Sequence, residues 1–205
     1  MKNLYLVFMS FVFVFLSNYI FAQTEPVPSN FQIGAGIRFS PFDAAAPTSS
    51  SNIYSSRLIL PINIGSNFRI EPELGYRNDK EENQGESTKR NTLSFGIGVF
   101  GIKKMQNINA YGGIRLDITN STRTDVEIIS SRTYTSTYKT KSFGVGPSIG
   151  CEYIFARQFV LGGEFWFPFG SNDETFTSSS STSSENTSNK FSAIIPSLVF
   201  RFFFN

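Results

Sequence analysis

No histidine occurs anywhere in the 205 residues. A histidine general base, a histidine-containing catalytic triad and a histidine-ligated metal are therefore excluded. Cysteine is nearly as scarce: Cys151 stands alone, which excludes a disulfide framework within the chain. Charged residues make up 17% of the sequence, against roughly 25% in an ordinary soluble domain. A typical cytosolic enzyme is not expected from that composition. The formal net charge is only +2, too little for the basic patch a nucleic-acid partner requires. Past residue 30 no sustained apolar stripe of helical period appears, so helices are not expected there.

What the chain does contain is 23 Phe and 16 Gly, behind a hydrophobic leader. Residues 1–22 read as a signal peptide: Lys2, an apolar run from Leu4 to Leu16, a polar break at Ser17-Asn18, then Phe21-Ala22-Gln23. A membrane anchor needs about 20 consecutive apolar residues, and this run is shorter. Without a Cys behind the leader, a lipid-anchored amino terminus is not expected either. Residues 23–205 are long enough for one domain and not two.

In that domain apolar and polar residues alternate with period two, predicting eight strands at residues 31–41, 54–65, 68–79, 90–103, 108–120, 140–155, 158–170 and 189–204. Most are long enough to cross a bilayer at a tilt. Short turns at 65–67, 104–107 and 156–157 alternate with long polar connections at 42–53, 80–89, 121–139 and 171–188. This rhythm predicts an all-β, eight-stranded antiparallel up-and-down barrel with four long loops at one end.

Alternation by itself does not say which face points outward, because a soluble lipocalin-like barrel alternates as well. Charge chemistry separates the two. Beyond the leader every Lys (80, 89, 103, 104, 139, 141 and 190) lies in a connection or at a strand end. The polar faces of the strands instead carry Arg38, Arg57, Arg69, Arg77, Arg115 and Arg201, accompanied by Glu71, Glu73, Asp117, Glu152 and Glu164. A confined interior favours Arg, whose planar fork pairs with carboxylates, whereas a solvated face would scatter Lys freely. The glycines at 34, 36, 75, 96, 98, 113, 144, 146, 150 and 162 share the polar face and leave room for these side chains. The apolar face is therefore expected to meet lipid, and the charged residues to form an ion-pair network in the lumen. Phe31, Phe68, Tyr153, Phe155, Phe159, Phe202 and Phe204 near the turn ends, and Phe39, Tyr54, Tyr76, Phe143, Phe167 and Phe169 near the loop ends, read as two interfacial girdles. Pro61, Pro72, Pro147, Pro168 and Pro196 within the strands are expected to sit at local bulges.

The leader, the eight long strands, the alternating connections and the final strand Ile195–Asn205 resemble the small OmpA/OmpX-type and opacity-type outer-membrane β-barrels. The resemblance is architectural and covers the whole chain after the leader. It implies location in the outer membrane, contact with outer-membrane lipid, and insertion by the barrel assembly machinery, which reads a closing aromatic strand. Phe200, Phe202 and Phe204 keep that strand's alternation, although Asn205 and not Phe is terminal. With the chain ending at the last strand, no periplasmic peptidoglycan-binding domain is expected.

Three functional readings follow. One is a non-enzymatic scaffold with a plugged lumen, meeting an extracellular ligand or protein through its loops. Another is a narrow pore or small-ligand transporter. The third is a membrane protease, deacylase or acyltransferase, whose known families rely on the histidine this chain lacks. Neither a cofactor nor a metal is implied. Glu71 and Glu73 could suggest a glycosidase pair, but two carboxylates on one arginine-lined face read as structural ion pairs. Cys151 reads as a small apolar side chain on the lipid face.

Overall fold

The computed structural model describes residues 31–40, 55–83, 86–129, 132–155, 158–179 and 184–204. The expected signal peptide, Tyr54 of the girdle, and the connection at 42–53 lie outside the described residues. All described elements are strands: β1 (Phe31–Ser40), β2 (Ser55–Ile59), β3 (Ile62–Ile64), β4 (Phe68–Asn83), β5 (Glu86–Met105), β6 (Ile108–Ile129), β7 (Arg132–Ile154), β8 (Phe159–Trp166), β9 (Phe169–Ser178), β10 (Ser184–Ser192) and β11 (Ile195–Phe203). β2 with β3, β8 with β9, and β10 with β11 each form one interrupted stave, leaving eight staves. Every pairing is antiparallel, and β1 closes the ring by pairing with β11.

Partners followed from Phe31 through Ile64, Phe68, Gly101, Gly112, Ile149 and Phe165 reach Pro196, two residues from the Leu198 that pairs with Phe39. The ring thus closes with a stagger of about ten residues, which tilts the strands by about 40° and leaves an interior just wide enough for side chains.

The prolines do not make bulges. Ile59 pairs with Glu73 and Ile62 with Ile70, so two residues separate the pairs on both strands and none is inserted. The same holds around Pro168, where Ser148 pairs with Trp166 and Val145 with Phe169. A proline removes a donor but not its carbonyl, and the carbonyls stay in use. Leu60 N–H donates to Pro72 O at 2.9 Å, Phe167 N–H to Pro147 O at 2.9 Å, and Gly34 N–H to Pro61 O at 2.8 Å. The ladder loses single bonds while the register runs through, which preserves the facing of every residue.

Three of the long connections are also not loops. β4 and β5 stay paired to Asn83 and Glu86, β6 and β7 to Ile129 and Arg132, and β9 and β10 to Thr177 and Ser184. β5, β6 and β7 have 20, 22 and 23 residues, about twice the length a bilayer crossing needs. These segments are rich in Thr, which suits a pleated surface. The connections are polar hairpins that carry the barrel wall beyond the membrane.

At the other end the two described turns are tight, and the expected turn at 156–157 lies outside the described residues. Gly65 has φ +63°, open to glycine, and Gln106 takes φ 48° in the turn between Met105 and Ile108.

The apolar face points outward. Leu58, Tyr76, Phe95, Ile114, Ile149, Phe165, Phe169 and Leu198 are all exposed, whereas Arg38, Arg69, Glu71, Arg115, Glu152, Glu164 and Arg201 are buried. Water could not stabilise that inversion, and a hydrocarbon layer does.

Candidate functional site: the charged lumen

Parity places the inward residues of the staves around one axis, and the stagger brings charges from distant sequence positions together. Near the turn end, Arg69 grips Glu152 with both terminal nitrogens, at 2.9 and 2.7 Å, while its Nε donates to Asn63 Oδ1 at 2.8 Å. Asn109 adds a bond to Glu152 at 2.9 Å. Arg201 bridges to the next layer, donating to Glu152 Oε2 at 2.8 Å and to Glu71 Oε2 at 2.6 Å. Midway, Arg115 donates to Glu164 Oε1 and to Glu71 Oε1, both at 2.9 Å, and lies 3.1 Å from Glu73 Oε2. Toward the loop end, Arg38 donates to Glu73 Oε1 at 2.9 Å, and Arg57 pairs with Asp117 and reaches Glu73.

Every stave except β5 contributes a charge. β5 supplies Gly96, Gly98 and the ring of Phe100 instead. A Cβ on Gly150 would stand 2.5 Å from Tyr111 Oη, so glycine there makes room for the tyrosine that donates to Glu164 at 3.1 Å. Aromatic faces cover the cations: Arg115 lies 5.1 Å above Phe100, Arg201 5.1 Å above Tyr111, and Arg38 6.0 Å above Trp166.

Arg38, Arg57, Arg69, Arg115 and Arg201 balance Glu71, Glu73, Asp117, Glu152 and Glu164, and all ten residues are buried. The balance matters because an unpaired charge in a confined interior costs several kcal/mol. Arg77, expected in the same network, is not part of it. Its side chain is 31% exposed and pairs with its own neighbour Asp79. The inward parity is right, but Arg77 sits above the outward Tyr76 of the loop-end girdle, in the hairpin region.

Sequence reasoning had not assigned Asn63, Asn109 or Thr119 to the network. Their signal was inward parity beside a charged residue; Thr119 donates to Asp117 at 2.9 Å. The satisfaction is uneven. Arg38 Nε and Nη1, Trp166 Nε1, Ser142 Oγ and Ser148 Oγ are buried without a hydrogen-bond partner among the described residues. Ser148 and Trp166 face each other across β7 and β8, while Arg77 Nη1, Asn91 Oδ1, Asn109 Oδ1 and Asn172 Oδ1 are open in the same way on β4, β5, β6 and β9. No group of side chains suited to a metal ion occurs among the described residues.

Residues 10–167 match the family described as the outer membrane protein beta-barrel domain. The chain belongs to this family. Its location is the outer membrane, and lipid surrounds its apolar face. The fold is shared with a major outer membrane protein from Thermus thermophilus, at 10% identity and a TM-score of 0.54, covering 86% of this chain and 100% of that one. It is also shared with the outer membrane protein OprG from Pseudomonas aeruginosa, at 11% identity and a TM-score of 0.53, covering 85% and 95%. No curated protein matches the sequence.

Proposed function

We propose that this barrel is a non-enzymatic scaffold whose lumen is plugged by ion pairs and whose long hairpins meet an extracellular ligand or protein. One observation carries the reading: the buried arginines and carboxylates of seven staves cross-link the lumen in overlapping layers. Charged groups with several short bonds each are not free to act as acid, base or nucleophile, and the chain has no histidine to assist them. An interior filled in this way supports the barrel and leaves recognition to the hairpins beyond the membrane. Export through residues 1–22 and insertion by the barrel assembly machinery fit the apolar leader and the alternating Phe200, Phe202 and Phe204. Planar-bilayer recording of the refolded protein tests the plug, with conductance absent or confined to brief flickers. A large, steady conductance overturns it.

The open polar groups along Arg38, Trp166, Ser148 and Ser142 favour one second reading, a narrow path for water or a small solute beside the plug. Swelling assays on vesicles with graded solutes distinguish the two, because a scaffold passes none.

A further inference from the structure

Where β7, β9 and β10 rise above the loop-end girdle, their inward side chains form one wall of the barrel mouth. Ser142, Asn172 and Asn189 share a row across the three strands. Ser142 is 7% and Asn172 8% exposed, yet Ser142 Oγ and Asn172 Oδ1 have no hydrogen-bond partner among the described residues. Leaving such groups buried and unpaired is costly. One inward row below, the ring of Phe191 lies against Gly170, where a Cβ would stand 2.9 Å from it. One row above is Glu174, exposed and without an ion pair among the described residues. Above that, the rings of Tyr138 and Phe176 stand 4.9 Å apart.

The charge of the mouth points the same way. On the inward face of the hairpins, Arg77 and Arg123 are taken by Asp79 and Asp125 on their own strands. Glu81, Glu86, Glu127, Glu174 and Glu185 face inward with no ion pair among the described residues, against only Arg90 and Arg132. Glu86 and Glu127 oppose each other directly across β5 and β6, a like-charge pair that an added cation relieves. A mouth lined in this way concentrates cations and repels anions.

We propose that the wall of β7, β9 and β10 receives an arginine side chain of a basic partner peptide. The inference rests on the reading that the hairpins meet an extracellular partner, and it names that partner's chemistry. A guanidinium carries five N–H donors and no acceptor. It can donate to Asn172 Oδ1, Ser142 Oγ and the Glu174 carboxylate while its flat face stacks on the flanking rings, which the compact ammonium of lysine does less well. The chain makes the same arrangement for itself on the next strand: Arg123 lies 5.9 Å from the centre of the Tyr138 ring while its Nε donates to Asp125 at 2.9 Å. The remaining unpaired carboxylates are spread over β4, β5, β6 and β10, so a chain with several cations answers them where one small cation does not.

The test uses the refolded full barrel in detergent and a fluorescent Arg-Gly-Arg-Gly-Arg peptide, read by anisotropy beside the same peptide with citrulline in place of arginine. Citrulline keeps the shape and removes the charge. Wild-type protein should bind the arginine peptide at least about tenfold more tightly, the ratio expected when hydrogen bonds to a charged group are lost. Asn172→Leu/Glu174→Gln, verified as folded by heat-modifiable migration, should lose about tenfold. Glu82→Gln, which removes the same charge from the outward face, should bind like wild type. Equal wild-type binding of the two peptides overturns the inference without any variant. An unchanged Asn172→Leu/Glu174→Gln variant overturns it as well, and so does an equal loss in Glu82→Gln, which would mark a general attraction to negative charge. Bilayer recording without peptide and protease accessibility in intact cells report the plug and the hairpin orientation separately, so failure of the scaffold reading is distinguishable from failure to bind arginine.

Discussion

Glu73 and Gly96 face each other across β4 and β5, and a Cβ on Gly96 would collide with Glu73 Oε1. The carboxylate at the centre of the Arg38, Arg57 and Arg115 cluster thus occupies space that a missing side chain leaves open. Gly96→Ala should push Glu73 off its partners and cost about 1–3 kcal/mol, as overpacking does. Gly163→Ala, with no neighbour within 4 Å, should be nearly neutral. The temperature at which the compact electrophoretic band is lost reads both, and equal stability of the two variants would contradict the assignment.

The Arg115 guanidinium contacts Glu71, Glu73 and Glu164 together. Arg115→Ala leaves three buried carboxylates short of a cation, and breaking a buried pair costs about 3–5 kcal/mol. The expected outcome is a destabilised barrel or a leak in bilayer recordings. Lys89→Ala, on the exposed outward face, should change neither property. Wild-type stability and silence in Arg115→Ala would remove the plug.

The facing of residues within the barrel was legible because its inner and outer surfaces differ so sharply. Glu71, Glu73 and Arg69 alternate with Ile70, Pro72 and Leu74, and the exclusion of lysine from mid-strand gave the direction. The hairpin extensions were not legible for the complementary reason. Beyond the girdle both faces meet water, so Thr122, Arg123, Thr124 and Asp125 show no apolar alternation to mark a strand. Depth failed in the same place: parity assigns Arg77 inward but says nothing of its height. The prolines misled because a missing donor was equated with an inserted residue, whereas Pro61 and Pro168 delete a bond and keep the register.

If the hairpins continue the wall, their amides are hydrogen-bonded far from lipid. Hydrogen exchange in detergent should show protection at 86–91 and 120–128, slower than an open polar loop by at least about tenfold. Exchange there as fast as in an unstructured peptide would restore the loop reading for these segments.

Two ion pairs on neighbouring levels separate the effect of burial from that of charge. Arg57 and Asp117 pair with side chains only 8% and 9% exposed, whereas Lys80 and Glu82 pair at 60% and 65%. In the buried pair, Asp117→Ala takes the nearer carboxylate from the Arg57 guanidinium and leaves it the more distant Glu73, at 3.4 Å. Arg57→Ala takes the guanidinium from the Asp117 carboxylate. Each single change should therefore cost more than half of what the double variant costs, because removing both partners also removes the weakened charge. A double-mutant cycle by urea unfolding in lipid vesicles should give a coupling energy of about 1–3 kcal/mol for this pair. The exposed pair should give less than about 0.5 kcal/mol, since water and salt screen both charges before and after mutation. Additive behaviour at Arg57 and Asp117 would mean that water reaches this layer of the lumen, and the upper part of the plug would then have to be reassigned as an open vestibule.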